Sequence, residues 1–538
     1  MNRRTTASLA ALLLFAALTV AMTWPQARLM ATHVPDADDP LLSIWRIAWI
    51  AHILPISPLD LMNGNIFHPE PRTLAYTDAV LMQGLVAAPL IWAGLSPMLA
   101  YNLLILASIA LSGWTMFLYA RHLTDRVSGS LLAGIVFAFV PFRFDHLHHL
   151  ELQATMFLPL ALMWTDRALE TGARRDLWLA VAAVVAQVYC GIYYAVFLST
   201  ALLIVIPIRW RRLPAARRTT LARSGLAAGL AGAVIVLPYL AIYMLNRNSL
   251  GDRDSRDIQT YSATLWNYLA APNDNVVHGG WSGPLGQNER RLFPGFVAIA
   301  IAGWGLWAIE RRRLTLLILG VVGFIISLGL NTPVYSALGS VLFIYNGLRA
   351  PARASILVFL AVAGLVAYGW SRLEGTMKGL APVATAVVAA ALLLEYSTVQ
   401  SHWFVAGPTP AVYAWLAEQP RSVIVELPVT TADRFDVVPD GLYMFRSTVH
   451  WQPLLNGYSG FFPKSYLELT ERMKTFPGEE AVAYLKQRGV DLVVIHGGLM
   501  PPDRFGDVTA KLLLRRDVSA VAQFQERRGP DMVFRLLR

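Results

Sequence analysis

Three aspartates, Asp36, Asp38 and Asp39, stand close together soon after the first apolar stretch, with His33 just before them. Carboxylates at this spacing repel one another, so a nearby proton, cation or cationic ligand stabilises the group. Such a cluster is suited to general-base or metal chemistry. The alternative is a solvated acidic loop.

The stretch that follows the aspartates predicts an element that positions them. Trp45, Arg46, Trp49 and His52 recur at helical spacing, which predicts an amphipathic helix lying on a membrane surface. Asp78 ends this stretch, directly before the next apolar segment. A carboxylate at a membrane boundary is costly unless it is paired or faces water, so Asp78 is a candidate for lining a cavity. N-capping of the following helix is the alternative.

A histidine-rich segment follows Pro141. It contains Arg143, Asp145, His146, His148 and His149. If the segment is helical, His146 and His149 share one face, a spacing that could hold a divalent cation. A histidine-rich turn without metal is the alternative, and Arg143 is a candidate phosphate ligand in either case.

Arginines are grouped in two later segments. Arg253, Arg256, Arg290 and Arg291 flank one loop, and Arg349 and Arg353 lie in the segment GLRAPAR. Arginine forks bind phosphate oxygens bidentately, so Arg349 and Arg353 are candidate ligands for a lipid phosphate. The alternative is snorkelling at the start of a membrane span. Glu289 is a candidate for the same cavity, although a salt-bridged loop explains it equally well.

The composition indicates a membrane protein. The 538 residues are 55% hydrophobic and only 15% charged, and the mean hydropathy is +0.47, whereas soluble chains carry about 25% charged residues. The 45 Lys and Arg against 35 Asp and Glu give a net charge of +10. The basic clusters lie between apolar stretches, which is typical of cytoplasmic loops, so a nucleic-acid partner is not expected. A single cysteine, Cys190, excludes an intramolecular disulfide.

The apolar stretches predict about eleven transmembrane helices, with a range of roughly 10 to 13. They cover approximately Ala7–Met22, Met98–Tyr119, Ser130–Arg143, Leu152–Ala168, Trp178–Cys190, Tyr193–Pro207, Leu226–Leu245, Phe293–Ile309, Leu314–Leu330, Ser355–Trp370 and Pro382–Tyr396. Ala79–Leu95, which contains Gln83 and Pro89, is predicted to be interfacial or re-entrant. If it spans instead, Trp178–Pro207 must cross only once.

Orientation follows from the basic loops. Arg209–Arg218 and Arg311–Arg313 are the strongest of these and are placed on the cytoplasmic side. Loops over about residues 24–78 and 246–291 are then outside, as is everything after Tyr396. The predicted domains are a membrane domain over 1–397 and an extracytoplasmic α/β domain over 398–538.

The α/β domain is predicted from short apolar runs that alternate with helical patterns. Ser422–Leu427, Leu492–His496 and Met532–Leu537 are typical of strands, and Pro410–Glu418 and Glu479–Arg488 of helices. The chain has no phosphate-binding loop of the G-x-x-x-x-G-K-[ST] type, no serine elbow and no H-E-x-x-H motif. ATP-driven transport and serine-type hydrolysis therefore have no support from motifs.

The arrangement of these pieces resembles the GT-C class of membrane glycosyltransferases, and within it a bacterial branch close in layout to YfhO-like membrane proteins. The resemblance covers nearly the whole chain. It is carried by the segments DPLLSIWRIAW, NIFHPEPRTLAYTD, HLHHLELQ, ERRLFPG, LRAPAR and VHWQPLLNGYSGFFP. The Asp-Glu pair and the Lys-Pro-Pro segment of better-known members are missing, and HPEPR stands nearby instead.

The resemblance implies an all-α polytopic fold with a small extracytoplasmic domain. It also implies hexosyl or pentosyl transfer from a polyprenyl-phosphate or pyrophosphate donor to a glycan, lipid or protein acceptor. Transfer would take place at the outer face of the bacterial cytoplasmic membrane, within membrane lipid. The class uses an acidic residue of the first loop as base or metal ligand, a role that falls to Asp39 or Asp38, with Asp36 beside them. A divalent cation, Mg²⁺ or Mn²⁺, is compatible with this chemistry.

Two other classes of function stay open. A non-catalytic scaffold of envelope assembly would keep the fold without the activity, and it predicts that Asp36, Asp38 and Asp39 are all replaceable. A transporter of lipid-linked glycans would also need a charged cavity, but the inverted repeats common in secondary transporters are not evident in the sequence.

Overall fold

The computed structural model describes residues 3–211, 213–307, 311–400, 402–429 and 438–537. Helices dominate these ranges, as the hydropathy predicts. The α-helices are α1 Arg3–Met22, α2 Gln26–Leu29, α3 Asp39–Ile53, α4 Leu81–Trp92, α5 Pro97–Thr124, α6 Val127–Phe139, α7 Phe142–Asp145, α8 Leu150–Gln153, α9 Phe157–Thr171, α10 Arg174–Cys190, α11 Ile192–Trp210, α12 Ala215–Leu250, α13 Ser255–Thr260, α14 Gly279–Ser282, α15 Phe296–Leu306, α16 Arg311–Ser327, α17 Pro333–Val341, α18 Ser355–Glu374, α19 Ala381–Tyr396, α20 Ala411–Ala417, α21 Val438–Ser447, α22 Lys464–Arg472, α23 Glu479–Gln487 and α24 Pro502–Leu513. The strands are β1 His33–Val34, β2 Phe404–Val405, β3 Ile424–Leu427, β4 Leu492–His496, β5 Val518–Phe524 and β6 Asp531–Leu536.

The protein is a multi-pass membrane protein. Each predicted span overlaps an α-helix, although Leu152–Ala168 is divided between α8 and α9, and the end of Phe293–Ile309, residues 308 and 309, lies outside the described residues. Within the described ranges, six helical segments are long and apolar enough to cross a bilayer: Arg4–Met22, Pro97–Thr124, Val127–Asp145, Ile192–Trp210, Arg217–Leu250 and Pro351–Glu374. Helix α4 has only 12 residues, and a helix of that length reaches about 18 Å, less than the roughly 30 Å of a hydrocarbon core. Helices α15 and α19, which lie in predicted spans, have 11 and 16 residues, so helix length does not distinguish α4 from them and its re-entrant position stays a prediction.

The chain folds into two compact units, and the first comprises Met1–Met30, Asn102–Ala241 and Asp252–His402. Its central helix is α18, which packs against α6, α15 and α16. Glycines allow the close approach of α18 to α15: a Cβ on Gly369 would lie 2.0 Å from the carbonyl oxygen of Ile301. Small residues at helix crossings are the usual way for membrane helices to pack backbone against backbone.

The second unit comprises Ala31–Tyr101, Ile242–Gly251 and Trp403–Arg538. The predicted boundary after residue 397 lies close to the change of unit after residue 402. The structure adds the first outer loop to the C-terminal residues, and strand β1 pairs with β2 in antiparallel fashion. Long-range pairing of this kind has no local sequence signature, so the sequence predicts the C-terminal segment as a domain by itself.

The C-terminal part of the second unit is an α/β structure, as predicted. Its sheet has the order β3-β4-β6-β5, with β3 and β4 parallel and the other pairs antiparallel. Strand β4 is buried along its whole length, which is typical of a central strand covered on both faces. The core contains Val412, Tyr413, Leu416, Ile424, Leu454, Leu492, Val494 and Val533.

Helix α3 corrects the prediction of a surface helix after the aspartates. The helical spacing is right, but Trp45, Arg46 and Trp49 are 1%, 2% and 6% exposed, because α3 packs against α4 and α21. The guanidinium of Arg46 donates to Ser43 Oγ at 2.6 Å and to the backbone carbonyl of Asp78. In the sequence, Arg46 indicates a polar helix face, which predicts an amphipathic helix. In the fold, Arg46 is buried and its guanidinium is hydrogen-bonded within the protein.

Candidate functional site

The histidine-rich segment is a turn between two short helices. Pro141 follows α6 and begins the single turn α7, and His149 precedes the single turn α8. The helix expected for the metal spacing is therefore not formed. The turn nevertheless brings one nitrogen each of His146, His148 and His149 within 4.8 Å of one another.

Arg143 holds this turn together. Its Nε donates to the carbonyl of Phe137 at 2.9 Å, its Nη1 to the carbonyl of Gln153 at 3.2 Å, and its Nη2 to the hydroxyl of Thr155. The Gln153 amide donates to the carbonyls of Arg143 and His146 at 3.0 and 2.7 Å. Most donors of the guanidinium are thus used by the protein itself, an arrangement that favours a positioning role for Arg143 and leaves its phosphate role a prediction.

Glu289 and Arg353, both proposed as site residues, form a buried bidentate ion pair. The Nε of Arg353 donates to Glu289 Oε2 at 2.9 Å, and its Nη2 donates to Oε1. His146 Nε2 lies 3.7 Å from the same carboxylate. Burial opposes ionisation of Glu289, but the charge and the hydrogen bonds of Arg353 outweigh it and hold the pKa of the carboxyl well below its usual range. The pair ties the histidine turn to the segment GLRAPAR.

A second ion pair supports the same turn. The Nη1 of Arg291 donates to both oxygens of Asp145, at 3.0 and 3.4 Å. Arg291 follows Glu289 in the segment ERRLFPG, so that segment makes two ion pairs in this region: Arg291 contacts the turn itself, and Glu289 contacts Arg353. The segment ERRLFPG is therefore held by salt bridges, as the alternative reading predicted, and these salt bridges lie beside the candidate metal ligands.

Arg349 is a half-buried cation on an aromatic support. Its guanidinium lies 5.1 Å above the ring of Tyr261, and its backbone N–H donates to Tyr193 Oη at 2.7 Å. The ring of Tyr193 in turn carries the guanidinium of Arg353 at 4.8 Å. In the part of the chain that the structure describes, no carboxylate pairs with Arg349. Tyr261 thus supports the guanidinium of Arg349, and Tyr193 fixes its backbone.

Arg253 joins the same group from the loop after α12. Burial, together with the repulsion of Arg349 and Arg353, lowers its pKa to about 10, although Tyr193 and Asp257 act in the opposite direction. Like charges placed close together in a poorly solvated site are costly, and an anion lowers that cost. Arg253, Arg349 and Arg353 thus form a group, here called the arginine cluster; Glu289 balances the charge of Arg353, which leaves Arg253 and Arg349 as the members suited to a phosphate.

The donor set of the histidine turn decides which ion it fits. Burial and the neighbouring His148 lower the pKa of His149 well below its usual range, so its imidazole is neutral, the form that binds metal. Three imidazole nitrogens could hold a divalent cation. They suit Zn²⁺ better than Mg²⁺ or Mn²⁺, which prefer oxygen ligands.

A second group of potential ligands, His122, Asp166 and Glu170, is different in kind. Arg209 donates to Asp166 at 2.9 Å, and Arg312 donates to Glu170. The carboxylates are already neutralised by arginines, so this group forms an ion-pair network between helices and not a metal site.

Comparison with known proteins identifies the architecture. No protein-family model matches the chain, and no curated protein matches it by sequence. Among solved structures, the apo oligosaccharyltransferase of Archaeoglobus fulgidus superposes with a TM-score of 0.53 at 12% identity, over 90% of this chain and 69% of that one. The chain has the GT-C fold.

Two further matches are to ArnT from Cupriavidus metallidurans. The form bound to undecaprenyl phosphate gives a TM-score of 0.49 at 12% identity over 97% of both chains, and the apo form gives 0.39 at 12% identity over 98% of both. The fold assignment rests on the oligosaccharyltransferase. The predicted fold class is thereby confirmed, while the narrower YfhO-like branch stays a prediction.

The predicted catalytic aspartates lie in the second unit. Asp36 is exposed and its Oδ1 accepts from the backbone N–H of Ala37 at 2.6 Å. Asp38 precedes α3, and Asp39 is its first residue; both are half-buried. The hydroxyl of Tyr458 donates to Asp39 Oδ1 at 3.1 Å. Tyr458 thus ties Asp39 to a distant part of the same unit, and the catalytic roles of the three aspartates stay predictions.

Asp78, a predicted substrate ligand, is buried in the second unit. Helix α4 begins at Leu81 with Val80 at the cap position, and the cap makes no side-chain hydrogen bond. The alternative of N-capping by Asp78 is therefore wrong, because the chain turns once more before the helix starts. Val80 makes this turn with a φ of +46°, a conformation that β-branched residues rarely adopt.

Three side chains of these two regions were not assigned from the sequence. His148 belongs to the histidine run, but in a helix it would not share the face of His146 and His149, so the metal spacing does not include it. Tyr193 reads as an aromatic residue of the membrane interface, and Tyr458 as part of a glycine-containing loop. The repeated HLHH pattern is a signal for His148; the roles of the two tyrosines depend on contacts far along the chain.

Proposed function

We propose that the protein is a membrane glycosyltransferase of the bacterial cytoplasmic membrane. It moves a sugar from a polyprenyl-phosphate-linked donor to a glycan, lipid or protein acceptor of the envelope, at the outer face. The observation that carries the proposal is Arg349: a half-buried arginine, oriented by Tyr261 and Tyr193 and grouped with Arg253, within a GT-C fold. Such a site favours an anionic leaving group over a neutral one.

The reaction follows from the charges that develop. The acceptor hydroxyl gives its proton to a carboxylate, its oxygen bonds to the anomeric carbon, and the bond from that carbon to the phosphate oxygen breaks. Asp39 and Asp38 of the second unit stay the candidates for this base that the sequence predicts. The phosphate leaves as an anion, and Arg349, with Arg253, stabilises its added charge.

The histidine turn supplies the proposed metal ligands. His146, His148 and His149 would hold a zinc-like divalent cation, which stabilises negative charge on phosphate oxygens as a Lewis acid when bound. Arg143 keeps the turn in place through its hydrogen bonds to the loop carbonyls. Glu289 does so through Arg353 and through its proximity to His146. Each therefore acts as a positioning residue.

The test compares cells that lack the protein with cells in which it is restored. The restoring chains are the wild type, Asp38→Asn, Asp39→Asn and Arg349→Ala, with Asp503→Asn, an exposed aspartate of α24, as the matched control. Mass spectrometry follows envelope glycans and the pool of polyprenyl-linked sugars at equal protein level.

The proposal expects one glycan modification to disappear, and its lipid-linked sugar to accumulate, in Arg349→Ala and in one of the two aspartate variants. The control should restore both pools. If all variants behave as the wild type, the transferase proposal is rejected in favour of the non-catalytic scaffold. If labelled lipid crosses vesicles unchanged, the transporter is the better description.

A further inference from the structure

The second unit contains a cavity of about 580 Å³ that none of the chemistry above uses. Its walls come from residues 49–71, at the end of α3 and in the loop after it, and from Arg421, Trp451 and Pro453. All of these residues belong to the second unit. Its volume lies within the range of about 300–1,000 Å³ found for small-molecule pockets.

Aromatic rings form one side of this cavity. The imidazole of His52 stacks on the indole of Trp451, with 4.3 Å between the ring centroids and 15° between the planes. Trp49 lies 5.7 Å from Trp451, and its indole N–H donates to the carbonyl of Leu61 at 2.9 Å. The ring system is thus fixed in place and gives a ligand a flat, apolar surface.

The backbone adopts an uncommon conformation at the same place. Trp451 has a φ of +54°, which costs energy for a bulky side chain. Residues held in such conformations are concentrated at ligand sites, where the fold constrains them. The segment around Trp451 is held by Gln452, whose amide donates to the carbonyls of Leu416 and Gln419 at 3.3 and 3.2 Å.

Hydrogen-bonding groups line the rest of the cavity. Ser57 and Asn63 donate to Asp60 at 2.7 and 3.2 Å and lower its pKa, so the carboxylate is ionised. Ser465 donates to Glu70 Oε1 at 2.6 Å, and Glu70 Oε2 has no hydrogen-bond partner among the residues that the structure describes. Both carboxylates can accept further hydrogen bonds from a ligand.

Donors stand beside these acceptors. Arg421 is exposed at the cavity. Burial lowers the pKa of His52, and burial together with Arg421 lowers the pKa of His68, so both imidazoles are neutral. A neutral imidazole offers one donor and one acceptor, which matches a hydroxyl group.

The charges exclude some ligands. Two carboxylates and one arginine give the cavity a net charge of −1, which repels phosphates and nucleotides. An aromatic platform ringed by acceptors and neutral donors suits a polyhydroxylated ring. We propose that this cavity binds an uncharged sugar ring of a glycan, and that this ring is a part of the acceptor remote from the reacting hydroxyl, because Trp49 and His52 lie ten and thirteen residues along α3 from Asp39, about 15–20 Å.

The two parts of this proposal have different foundations. Sugar binding rests on the cavity alone. The acceptor role rests on the proposed transferase function. A binding measurement that needs no turnover therefore separates the failure of one from the failure of the other.

The experiment uses the full chain in lipid nanodiscs and saturation-transfer difference NMR. The probes are maltotriose and chitotriose, each as the soluble trisaccharide and as the same trisaccharide on a single alkyl chain. Soluble binding identifies a free glycan as the ligand, and binding of the alkylated form alone identifies a glycolipid headgroup. Either result supports the sugar site if it depends on the cavity residues.

Variants establish that dependence. Trp451→Ala removes the platform and Asp60→Asn removes one ionised acceptor; each should weaken binding about tenfold, the size of one good contact. Trp451→Phe should retain most of the binding. Asp503→Asn, at an exposed aspartate of the same unit outside the cavity, is the matched control.

Two results overturn the proposal. One is the absence of saturation transfer to every probe from the wild type. The other is a signal that Trp451→Ala and Asp60→Asn leave unchanged. Because Asp60 is a surface residue, Asp60→Asn decides the matter even if Trp451→Ala fails to fold. If binding is lost in Asp60→Asn while the glycan phenotype of the cells is normal, the sugar site stands and its acceptor role fails.

Discussion

Glu289 and Arg353 illustrate how an ion-pair partner determines what a charged residue does. Both are buried, and Arg353 contacts both carboxylate oxygens. Desolvation of two charges is expensive, so the pair contributes little net stability, but removal of one partner leaves an unpaired charge. The pair also keeps His146 next to a carboxylate at 3.7 Å, and so couples the arginine cluster to the histidine turn.

We expect Glu289→Gln to lower the free energy of unfolding by about 3 kcal/mol, because Arg353 loses a buried ion-pair partner. The double variant Glu289→Gln with Arg353→Met should recover much of this loss. Thermal unfolding of the purified protein in detergent measures both. Glu480→Gln, at an exposed ion pair with Arg472 of 3.6 Å, is the control and should change little. Equal effects of Glu289→Gln and the control would contradict the prediction.

Metal content tests the histidine turn directly. Because its three donors are imidazole nitrogens, we expect zinc in the purified protein and its loss in His148→Ala and in His146→Ala. Elemental analysis after gel filtration measures the ratio of zinc to protein. His402→Ala, an exposed histidine outside the turn, should retain the ion. Full zinc occupancy in both turn variants would show that the ion binds elsewhere.

At the scale of secondary structure elements, the central strand β4 ends at a buried histidine, His496. His496 lies 2.8 Å from Glu426 of β3 and 3.0 Å from Asp531 of β6. Tyr413 donates to the same Glu426 at 2.5 Å. Burial lowers the pKa of His496, but the two carboxylates outweigh burial and raise it to about 9.

This pKa predicts how stability depends on pH. The folded pKa is raised above the unfolded value of about 6.5, so the stabilisation is fully present below pH 6.5 and is lost as the pH rises through about 9. The loss amounts to roughly 3 kcal/mol of unfolding free energy. Chemical unfolding followed between pH 6 and pH 10 should show this slope in the wild type and lack it in His496→Gln. A flat wild-type profile would contradict the assignment.

The crossing of α15 and α18 gives a second prediction for elements. Gly369→Ala places a methyl group against the Ile301 carbonyl, 2.0 Å from its oxygen, and should destabilise the protein by about 1–3 kcal/mol through overpacking. Gly229→Ala on α12, where a Cβ meets nothing within 4 Å, is the control and should be neutral or slightly stabilising. The melting temperature in detergent separates the two, and equal values would refute close packing at Gly369.

At the scale of the whole molecule, the two units are built from interleaved segments of the chain. Residues 31–101 fold with residues 403–538, although more than 300 residues separate them. Within the first unit, α18 packs against three other helices and provides the frame for the turn and the arginine cluster. The GT-C fold thus depends on contacts between segments far apart in sequence.

The proposed orientation can be measured because the chain has one cysteine, Cys190, which is buried. In a Cys190→Ser background, we expect Glu480→Cys of the α/β structure to react with a membrane-impermeant maleimide added outside spheroplasts. Arg217→Cys, at the start of α12, should react only after lysis, because basic loops stay in the cytoplasm. Mass-shift gels report the labelling. The reverse pattern would place the α/β structure in the cytoplasm.

The sequence by itself determined the elements of this protein. Apolar stretches predicted the membrane helices, and short apolar runs between helical patterns predicted β3, β4 and β6 within a residue or two, because hydrophobic patterning is a local property. Strand β5 was missed, since Val518 is its one buried residue and a bulge lies between Ala520 and Ala522. The clustering of Asp, His and Arg residues also marked the segments that carry the site.

Only the tertiary structure decided which of those residues act on one another. It buried α3, decided for a turn and against a helix in the histidine-rich segment, brought His148 into that turn, and paired Glu289 with Arg353 across 64 residues. It also committed the donors of Arg143 to the loop, and left Arg349 on aromatic rings. These outcomes depend on burial and on contacts between distant segments, which set the cost of each charge and are not encoded in local spacing.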